Sequence, residues 1–283
     1  MRKLIREFVL EGAGLHTGLH CVLKISPNDK GGIIFKFKDF EINIEKLSLR
    51  GSGRGSDYIC DKFIIRTCEH VLAGLTGMGV WSAELEILEG GEFPALDGCA
   101  ELVSNKILEN SEIIEAENYE PEPLKLFAPV YVCDANNSDR FIAAFSNVND
   151  NNLHVTYSVN YDTPVIGTQL LDFNLDFDYF YKNLARARTF AMRSEIEYLR
   201  AHGMALGGSL DNAILVGNKD NKDYEAMGGL RWPDEFVRHK TLDLIGDLAA
   251  LGRPLSAHVI ACKAGHELHL KLVDKLRRLI NIK

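Results

Sequence analysis

The order of apolar and polar positions along the first half of the chain predicts short strands that alternate with helices. Strands are expected where apolar residues alternate with polar ones, and helices where apolar residues recur every three to four positions. Glycines within residues 51–56 indicate a flexible loop. The predicted strands are Cys21–Ser26, Ile33–Phe37 and Ser82–Leu88, and the predicted helices are Glu69–Leu75 and Ala100–Leu108.

The second half repeats this plan after an acidic stretch with two prolines, Ile113–Pro123, which we interpret as a domain boundary. We therefore predict domains at 1–118 and 119–283. In each half, a histidine-bearing helix ends in an apolar turn with glycine and leads into a strand; coincidence is the alternative to two related halves. The predicted strands are Val130–Val132, Phe141–Phe145, Leu153–Tyr161 and Ala257–Cys262, and the helices are Asp178–Arg186, Ser194–Ala201, Asp234–Asp247 and His266–Leu279.

The predicted helix Asp234–Asp247 carries its polar side chains on one stripe. At about 100° per residue, His239, Asp243 and Asp247 follow one another at i, i+4 steps, with Lys240 beside them. An imidazole and a carboxylate one turn apart can bind the same divalent metal, and Asp247 is placed to support them. A solvated face with ordinary i, i+4 pairing is the alternative.

Glu69-His70 opens another predicted helix and offers a further metal ligand. Adjacent helical residues point about 100° apart, so one of the two binds the metal while the other approaches a water beside it. If the halves pack face to face, His70, His239 and Asp243 form a His₂Asp set with an open position, typical of catalytic zinc, and Glu69 is the general base. The alternative is a helix N-terminus with a favourable acidic residue.

Three further segments carry groups that suit hydrolysis. His266, which follows a predicted strand, can protonate a leaving amine or stabilise an oxyanion; a surface histidine is the alternative. Thr189 offers a hydroxyl to an oxyanion, or else caps a helix. Gly208 lets the backbone approach a ligand closely, or else forms a plain turn.

Composition narrows the class of protein. With 46% apolar and 25% charged residues, the 283-residue chain is typical of a globular protein. The net charge of −8 argues against nucleic-acid binding, although a local basic pocket can still hold a small anion. No apolar run is long enough for a signal peptide or a membrane span, so we expect a cytoplasmic protein with its six cysteines as free thiols. Candidates for the basic pocket are Lys240, Lys263, Arg140 and the pair Arg186 and Arg188.

Motifs spread over nearly the whole chain point to one family. They are Gly12–Gly18, Glu69–Leu75, Phe93–Gly98, Ala187–Phe190, Gly207–Asn212, Asp234–Asp247 and Lys263–His266. In type and order they resemble the motifs of the UDP-3-O-acyl-N-acetylglucosamine deacetylase family, zinc amidases of lipid A synthesis in Gram-negative bacteria. The resemblance implies an α+β fold of two related domains, each a small β-sheet layered against two α-helices, packed with the helices between the sheets.

The resemblance also implies roles for single residues. The metal ligands to one Zn²⁺ would be His70, His239 and Asp243. Glu69 would be general base, His266 general acid and Thr189 an oxyanion contact. Lys240 and Asp247 would support the site, with Asp247 orienting the His266 ring. The implied substrate contacts are Arg140 and Lys263 at the nucleotide end, Tyr161 against uracil, and Phe190, Gly208, Met192, Ile196 and Leu199 around the acyl passage.

The expected activity is removal of the N-acetyl group from UDP-3-O-(3-hydroxyacyl)-N-acetylglucosamine by a monomeric enzyme with no membrane-spanning segment. The nearest alternative is a paralogous deacetylase for another N-acetylated sugar, since the loops Gly51–Tyr58 and Asp162–Pro164 depart from the family's pattern. A catalytically silent binding protein is a second alternative, against which the intact set of ligands and acid–base groups argues. Because His and Asp ligands suit Fe²⁺ as well as Zn²⁺, the metal used in cells stays open.

Overall fold

The structure, a computed structural model, describes residues 1–52, 54–115, 121–147, 152–217 and 224–281. The predicted domain boundary between residues 118 and 119 lies outside these ranges, so the division into 1–118 and 119–283 stays a prediction. The strands before it are β1 (Arg2–Leu4), β2 (Phe8–Ala13), β3 (His20–Ser26), β4 (Ile33–Phe37), β5 (Phe40–Asn43), β6 (Ser48–Ser52), β7 (Gly55–Cys60), β8 (Phe63–Ile65), β9 (Ala83–Glu89) and β10 (Ser111–Ile113). The helices are α1 (Glu69–Gly77) and α2 (Glu101–Asn110).

The second half contains the remaining elements. Its strands are β11 (Leu124–Lys125), β12 (Val130–Cys133), β13 (Phe141–Ser146), β14 (Leu153–Asn160), β15 (Thr168–Asn174), β16 (Thr189–Met192), β17 (Ala213–Val216), β18 (Tyr224–Glu225) and β19 (Leu255–Cys262). Its helices are α3 (Phe177–Tyr179), α4 (Arg193–Ala201), α5 (Glu235–Leu248) and α6 (His266–Asn281), and a π-helical turn at Phe180–Leu184 follows α3.

The main sheets of the two halves share one topology. The first has the strand order β2-β3-β9-β4-β5, and the second has β12-β13-β19-β14-β15, with β11 pairing β19 besides. In both sheets the central strand runs parallel to one neighbour (β4 or β14) and antiparallel to the other (β3 or β13). Helices α1 and α5 precede the central strands β9 and β19, and α2 and α6 follow them. This correspondence supports two related halves.

Helices α1 and α5 lie between the sheets and are buried on nearly every side. All nine residues of α1 are buried, as are Phe236, Val237, Leu244 and most other residues of α5. On each sheet, alternate residues such as Leu23 and Val259 point into the core, as the period of two requires. The predicted α+β class is therefore confirmed. None of the described helices combines the length and the apolarity needed to cross a membrane.

One local prediction is wrong, and another is confirmed only in part. Residues 51–56 were expected as a loop, but Ser48–Ser52 and Gly55–Cys60 pair as an antiparallel hairpin whose second strand is largely buried. The helix expected over Asp178–Arg186 is present, but as a short helix followed by a π-helical turn that ends at Leu184. The ring of Phe180 in that turn packs against Gly77, where an added Cβ would lie 2.4 Å from it. Both departures arise from tertiary packing, which local patterns do not report.

The two central helices touch at a glycine. A Cβ added to Gly246 on α5 would lie 2.0 Å from the backbone oxygen of Glu69 on α1, so no other residue fits without separating the helices. A Cβ at Gly12 on β2, by contrast, would make only an ordinary contact at 3.7 Å with Pro94. Because glycine has no side chain, Gly246 allows the two halves to approach this closely.

We expect Gly246→Ala to lower the free energy of unfolding by roughly 1–3 kcal/mol, because overpacked interfaces force backbone shifts of that energy. Urea unfolding followed by circular dichroism measures the change. Gly12→Ala is the matched control and should leave the midpoint nearly unchanged. Equal midpoints for the wild type and Gly246→Ala would contradict the tight contact.

Candidate active site

Helices α1 and α5 bring together three potential metal ligands from distant parts of the chain. His70 Nε2 lies 3.6 Å and His239 Nε2 3.3 Å from Asp243 Oδ1, and the three potential ligand atoms are all within 4.8 Å of one another. Atoms that ligate a tetrahedral zinc at about 2.0–2.1 Å are separated by roughly 3.4 Å. All three side chains are buried. The spacing thus suits one ion.

The protonation of His239 favours metal binding. Its Nδ1 lies 3.0 Å from the carbonyl oxygen of Ala187, which can only accept, so Nδ1 donates and Nε2 keeps its lone pair toward Asp243. Burial lowers the pKa of His239 to about 3, which keeps the ring neutral. Asp243 Oδ1 is buried without a hydrogen-bond partner among the described residues. A neutral imidazole and an orphaned carboxylate oxygen fit a bound cation.

The second oxygen of Asp243 is held by a cation. Lys240 Nζ lies 2.8 Å from Asp243 Oδ2, and His266 Nε2 lies 3.5 Å from the same oxygen. Burial raises the pKa of Asp243, but its interactions with His239, Lys240 and His266 outweigh burial and hold the pKa well below its usual range. Asp243 is therefore a carboxylate, the form in which it can ligate.

Glu69 and His266 lie on either side of the place where the three potential metal ligands converge. Glu69 Oε2 accepts the backbone N–H of Ser56 at 3.1 Å, and Glu69 Oε1 lies 3.8 Å from His266 Nε2. Burial raises the pKa of Glu69, and the interactions with His266 and His70 only partly oppose it. A carboxylate with a raised pKa can take up a proton near neutral pH, as a general base must.

His266 is poised as an acid. Its Nδ1 donates to Asp247 Oδ2 at 2.8 Å, which turns Nε2 toward Glu69 and Asp243. Burial lowers the pKa of His266, but the charges of Asp247, Glu69 and Asp243 outweigh burial and raise it to about 9. The ring is therefore protonated at neutral pH, with a proton on Nε2 to donate.

Two residues behind His266 were not predicted. Ser56 Oγ hydrogen-bonds Asp247 and lies 3.1 Å from His266 Nδ1. His269 Nδ1 lies 2.8 Å from Asp247 Oδ2, and its Nε2 lies 3.0 Å from the hydroxyl of Tyr157. Ser56 was hidden in a glycine-rich segment. The spacing of His269 one turn after His266 was an available signal, since both rings then point to the same side of α6.

The segment that carries Thr189 is anchored by a buried ion pair. Arg188 Nε lies 2.9 Å from Glu235 Oε1 at the start of α5, and the guanidinium also donates to the carbonyl oxygens of Met227 and Gly229. The prediction that Arg188 belongs to an anion pocket is wrong, because these partners occupy its donors. The pair instead holds Ala187, which orients His239, and Thr189 beside the site.

A cavity of 530 Å³ opens from these groups. Lys240 and Tyr161 line it, and so do Thr189 and the residues that the resemblance assigns to acyl binding. Those residues are Phe190, Met192, Ile196, Leu199 and Gly208. Since His16 and Arg54 also line it, the first half contributes to its wall. The residues predicted to bind the substrate and those predicted to carry out the chemistry therefore line the same cavity.

A second cavity of 450 Å³ adjoins the first, since Tyr161, Lys240 and His266 line both. It contains the predicted basic residues Arg140 and Lys263. Arg140 pairs with Asp134 at 2.8 Å and donates to the backbone oxygen of Lys263 at 3.2 Å. Lys263 Nζ lies 4.0 Å from Asp139. The two cationic side chains thus converge on the same end of the site.

Two imidazoles and a carboxylate converge here beside Glu69 and His266, on buried helices that lie between two sheets. This arrangement is typical of a class of protein, the metal-dependent α+β hydrolases. Within that class, the chain belongs to the LpxC family, described as UDP-3-O-acyl N-acetylglycosamine deacetylase, whose sequence profile matches residues 2–278. The resemblance drawn from the motifs is confirmed.

Curated relatives carry the name UDP-3-O-acyl-N-acetylglucosamine deacetylase. One from Myxococcus xanthus is 33% identical over 97% of this chain and 85% of its own length. Another from Saccharophagus degradans is 35% identical over 97% of this chain and 89% of its own. A third from a Nostoc species is 34% identical, with 95% of each chain covered. The similarity therefore spans both halves.

The raised pKa of His266 makes a prediction for metal-free protein. Between the ordinary value of 6.5 and about 9, the folded state holds a proton that the unfolded state has lost, so stability falls as pH rises through this window. The loss should approach roughly 3 kcal/mol, at about 1.4 kcal/mol for each pH unit. Urea unfolding at pH 6.5 and pH 9 with a chelator present measures it.

His266→Gln removes this titration and should flatten the dependence between the two pH values. His202→Gln, at an exposed histidine on the first turn after α4, is the control and should keep the wild-type dependence. The same slope in His266→Gln and the wild type would show that the ring is not a buried cation.

Proposed function

We propose that this protein removes the acetyl group from UDP-3-O-(3-hydroxyacyl)-N-acetylglucosamine, in the step that commits the sugar nucleotide to lipid A biosynthesis. Family membership over residues 2–278 supports the reaction. The observation that carries the proposal is the convergence of His70, His239 and Asp243, from two helices, next to Glu69 and His266. An amide hydrolase needs each of these elements: a ligand set, a base and an acid.

We propose one Zn²⁺ per chain, held by His70, His239 and Asp243. The buried Asp243 Oδ1, without a described hydrogen-bond partner, and the Nε2 lone pair of His239 support this choice. When bound, such an ion supplies Lewis-acid polarisation and lowers the pKa of water. Fe²⁺ would suit the same ligands.

The chain's own residues would then divide the proton transfers between them. Glu69 accepts a proton from the attacking water, for which its raised pKa prepares it. His266, protonated at neutral pH, donates its Nε2 proton to the departing amine. Asp247 holds the other ring nitrogen, so the donating nitrogen always faces the site. Acetate and the free amine are the products.

Two more residues are proposed to act on the acetamide oxygen. Thr189 lines the main cavity, and its backbone N–H donates to the Gly98 oxygen at 2.8 Å, which fixes the residue in place. Lys240 lies in the same wall, with its ammonium group on Asp243. A hydroxyl and a cation set beside the carbonyl stabilise the negative charge that develops there.

The two adjoining cavities support the proposed substrate. The acyl chain would lie against the apolar side chains of Met192, Ile196 and Leu199 in the larger cavity. The uracil would stack on Tyr161 and the diphosphate would lie near Arg140 and Lys263, while Phe190 and Gly208 border the passage between sugar and acyl chain. We propose further that the protein acts in the cytoplasm as a monomer, and that its domains are 1–118 and 119–283.

Replacing Glu69 separates chemistry from metal binding. We expect Glu69→Gln to retain about one equivalent of zinc while kcat falls by about 10²–10⁴-fold, the usual contribution of a general base. Asp243→Asn should lose both zinc and activity, because it removes a ligand. Acetate release from the UDP-acyl-sugar and zinc content by atomic emission are the measurements. Near-normal turnover by Glu69→Gln would disprove the proposed base.

Lys263→Gln tests the nucleotide end. It removes a positive charge and leaves a polar side chain one atom shorter, so KM for the UDP-acyl-sugar should rise about 10-fold with little change in kcat, as expected for the loss of one charge-assisted contact. Lys106→Gln, on the exposed side of α2, should change neither constant. An unchanged KM for Lys263→Gln would show that the nucleotide does not bind beside Lys263.

Substrate identity is tested by comparing the UDP-3-O-acyl sugar with UDP-N-acetylglucosamine, which lacks the acyl chain. The apolar cavity predicts a strong preference for the acylated compound. Equal rates on both would favour the alternative of a deacetylase for a different N-acetylated sugar.

A further inference from the structure

The outer face of the second sheet carries a cluster of polar side chains that line neither of the two cavities of the candidate active site. On β14, the odd positions Val155 and Tyr157 point into the core, so the even positions His154 and Thr156 point outward. His258 on β19 stands beside His154 in the parallel register, and Asp172 on β15 stands opposite Thr156. Three adjacent strands therefore present one cluster.

The donor atoms of this cluster converge. His154 Nε2 lies 3.1 Å from Asp172 Oδ1, and the His154 and His258 rings stack with centroids 4.2 Å apart. One nitrogen of each ring and one oxygen of Asp172 lie within 4.8 Å of one another. Strand pairing fixes the Cα positions, so this approach does not depend on a loop.

A hydroxyl organises the set from its centre. Thr156 Oγ1 lies 2.8 Å from His258 Nε2 and hydrogen-bonds Asp172 Oδ1. Thr156 thus bridges the carboxylate of Asp172 and the ring of His258.

The outer face of the first sheet carries a different set of polar side chains. There, Lys24 pairs with Glu86 at 2.6 Å and Lys36 pairs with Glu84 at 3.4 Å, so ammonium groups balance the carboxylates. In the second sheet, imidazoles and a hydroxyl surround the carboxylate of Asp172 in place of lysines. Imidazoles that face a carboxylate leave room for a cation that lysines would repel.

We propose that His154, Asp172 and His258 form a second metal site, which takes a divalent ion of the zinc class with water in its remaining positions. It is separate from the site between the helices and does not rest on the proposed deacetylase activity. Because the side chain of Asp172 is 54% exposed, the ion exchanges with solvent and binds less tightly than at a buried site.

Zinc stoichiometry of the full-length chain tests the proposal, with Zn²⁺ alone as the probe. After equilibrium dialysis at tens of micromolar free Zn²⁺, the wild type should hold two equivalents, and His154→Gln and His258→Gln should each hold one. His20→Gln is the matched control, since its ring lies on the outer face of the first sheet between Glu11 and Glu89. It should keep two. One equivalent in the wild type, or two in His258→Gln, overturns the second site.

A second measurement avoids any question of variant folding. In wild-type protein labelled with ¹⁵N, the imidazole nitrogens of His154 and His258 should shift together as the second equivalent of Zn²⁺ is added. Shifts that appear first at His20 or His202 would assign the second equivalent to a surface histidine elsewhere and overturn the proposal.

Discussion

The close approach of α1 and α5 is the constraint on which the site depends. His70 lies on one helix, and His239 and Asp243 lie on the other, so their distances are set by how near the helix axes come. Gly246 permits that approach because a Cβ there would meet the Glu69 backbone oxygen at 2.0 Å. The same contact places Glu69, the residue next to His70, against the helix that carries Asp247. The contact between α1 and α5 therefore fixes both the packing of the two halves and the positions of the chemical groups.

Burying so many ionisable groups is tolerable only because they compensate one another. Lys240 lies on Asp243, and His266 lies on Asp247, so two cations balance two carboxylates. In this count, Glu69 is the carboxylate left over, and burial raises its pKa. A dication at Asp243 would correct the imbalance and lower that pKa again. The excess negative charge that would attract a metal therefore lies beside Glu69, whose own pKa is raised by burial.

Local sequence patterns predicted much of this arrangement, and the residues that they missed were missed for a physical reason. The i, i+4 stripe of His239, Asp243 and Asp247 is a property of one helix, and the strand and helix positions followed from apolar periodicity. Ser56 and the partners of Arg188 depend on contacts between segments distant along the chain, where periodicity is silent. The outer-sheet cluster needs the register of three strands, which no single segment encodes.

The equivalence of the halves explains where new function is found. In each half, an insertion lies between an edge strand of the main sheet and the central buried helix. It consists of β6–β8 between β5 and α1 in the first half, and of α3 to β18 between β15 and α5 in the second. The first insertion supplies Ser56 and the second supplies Thr189, so both reach the site from their own side. The shared sheets and helices need only hold the proposed ligands at fixed distances from one another. A shared scaffold therefore leaves its insertions and its outer sheet faces free to differ, and those are the places where the polar side chains of the two halves differ.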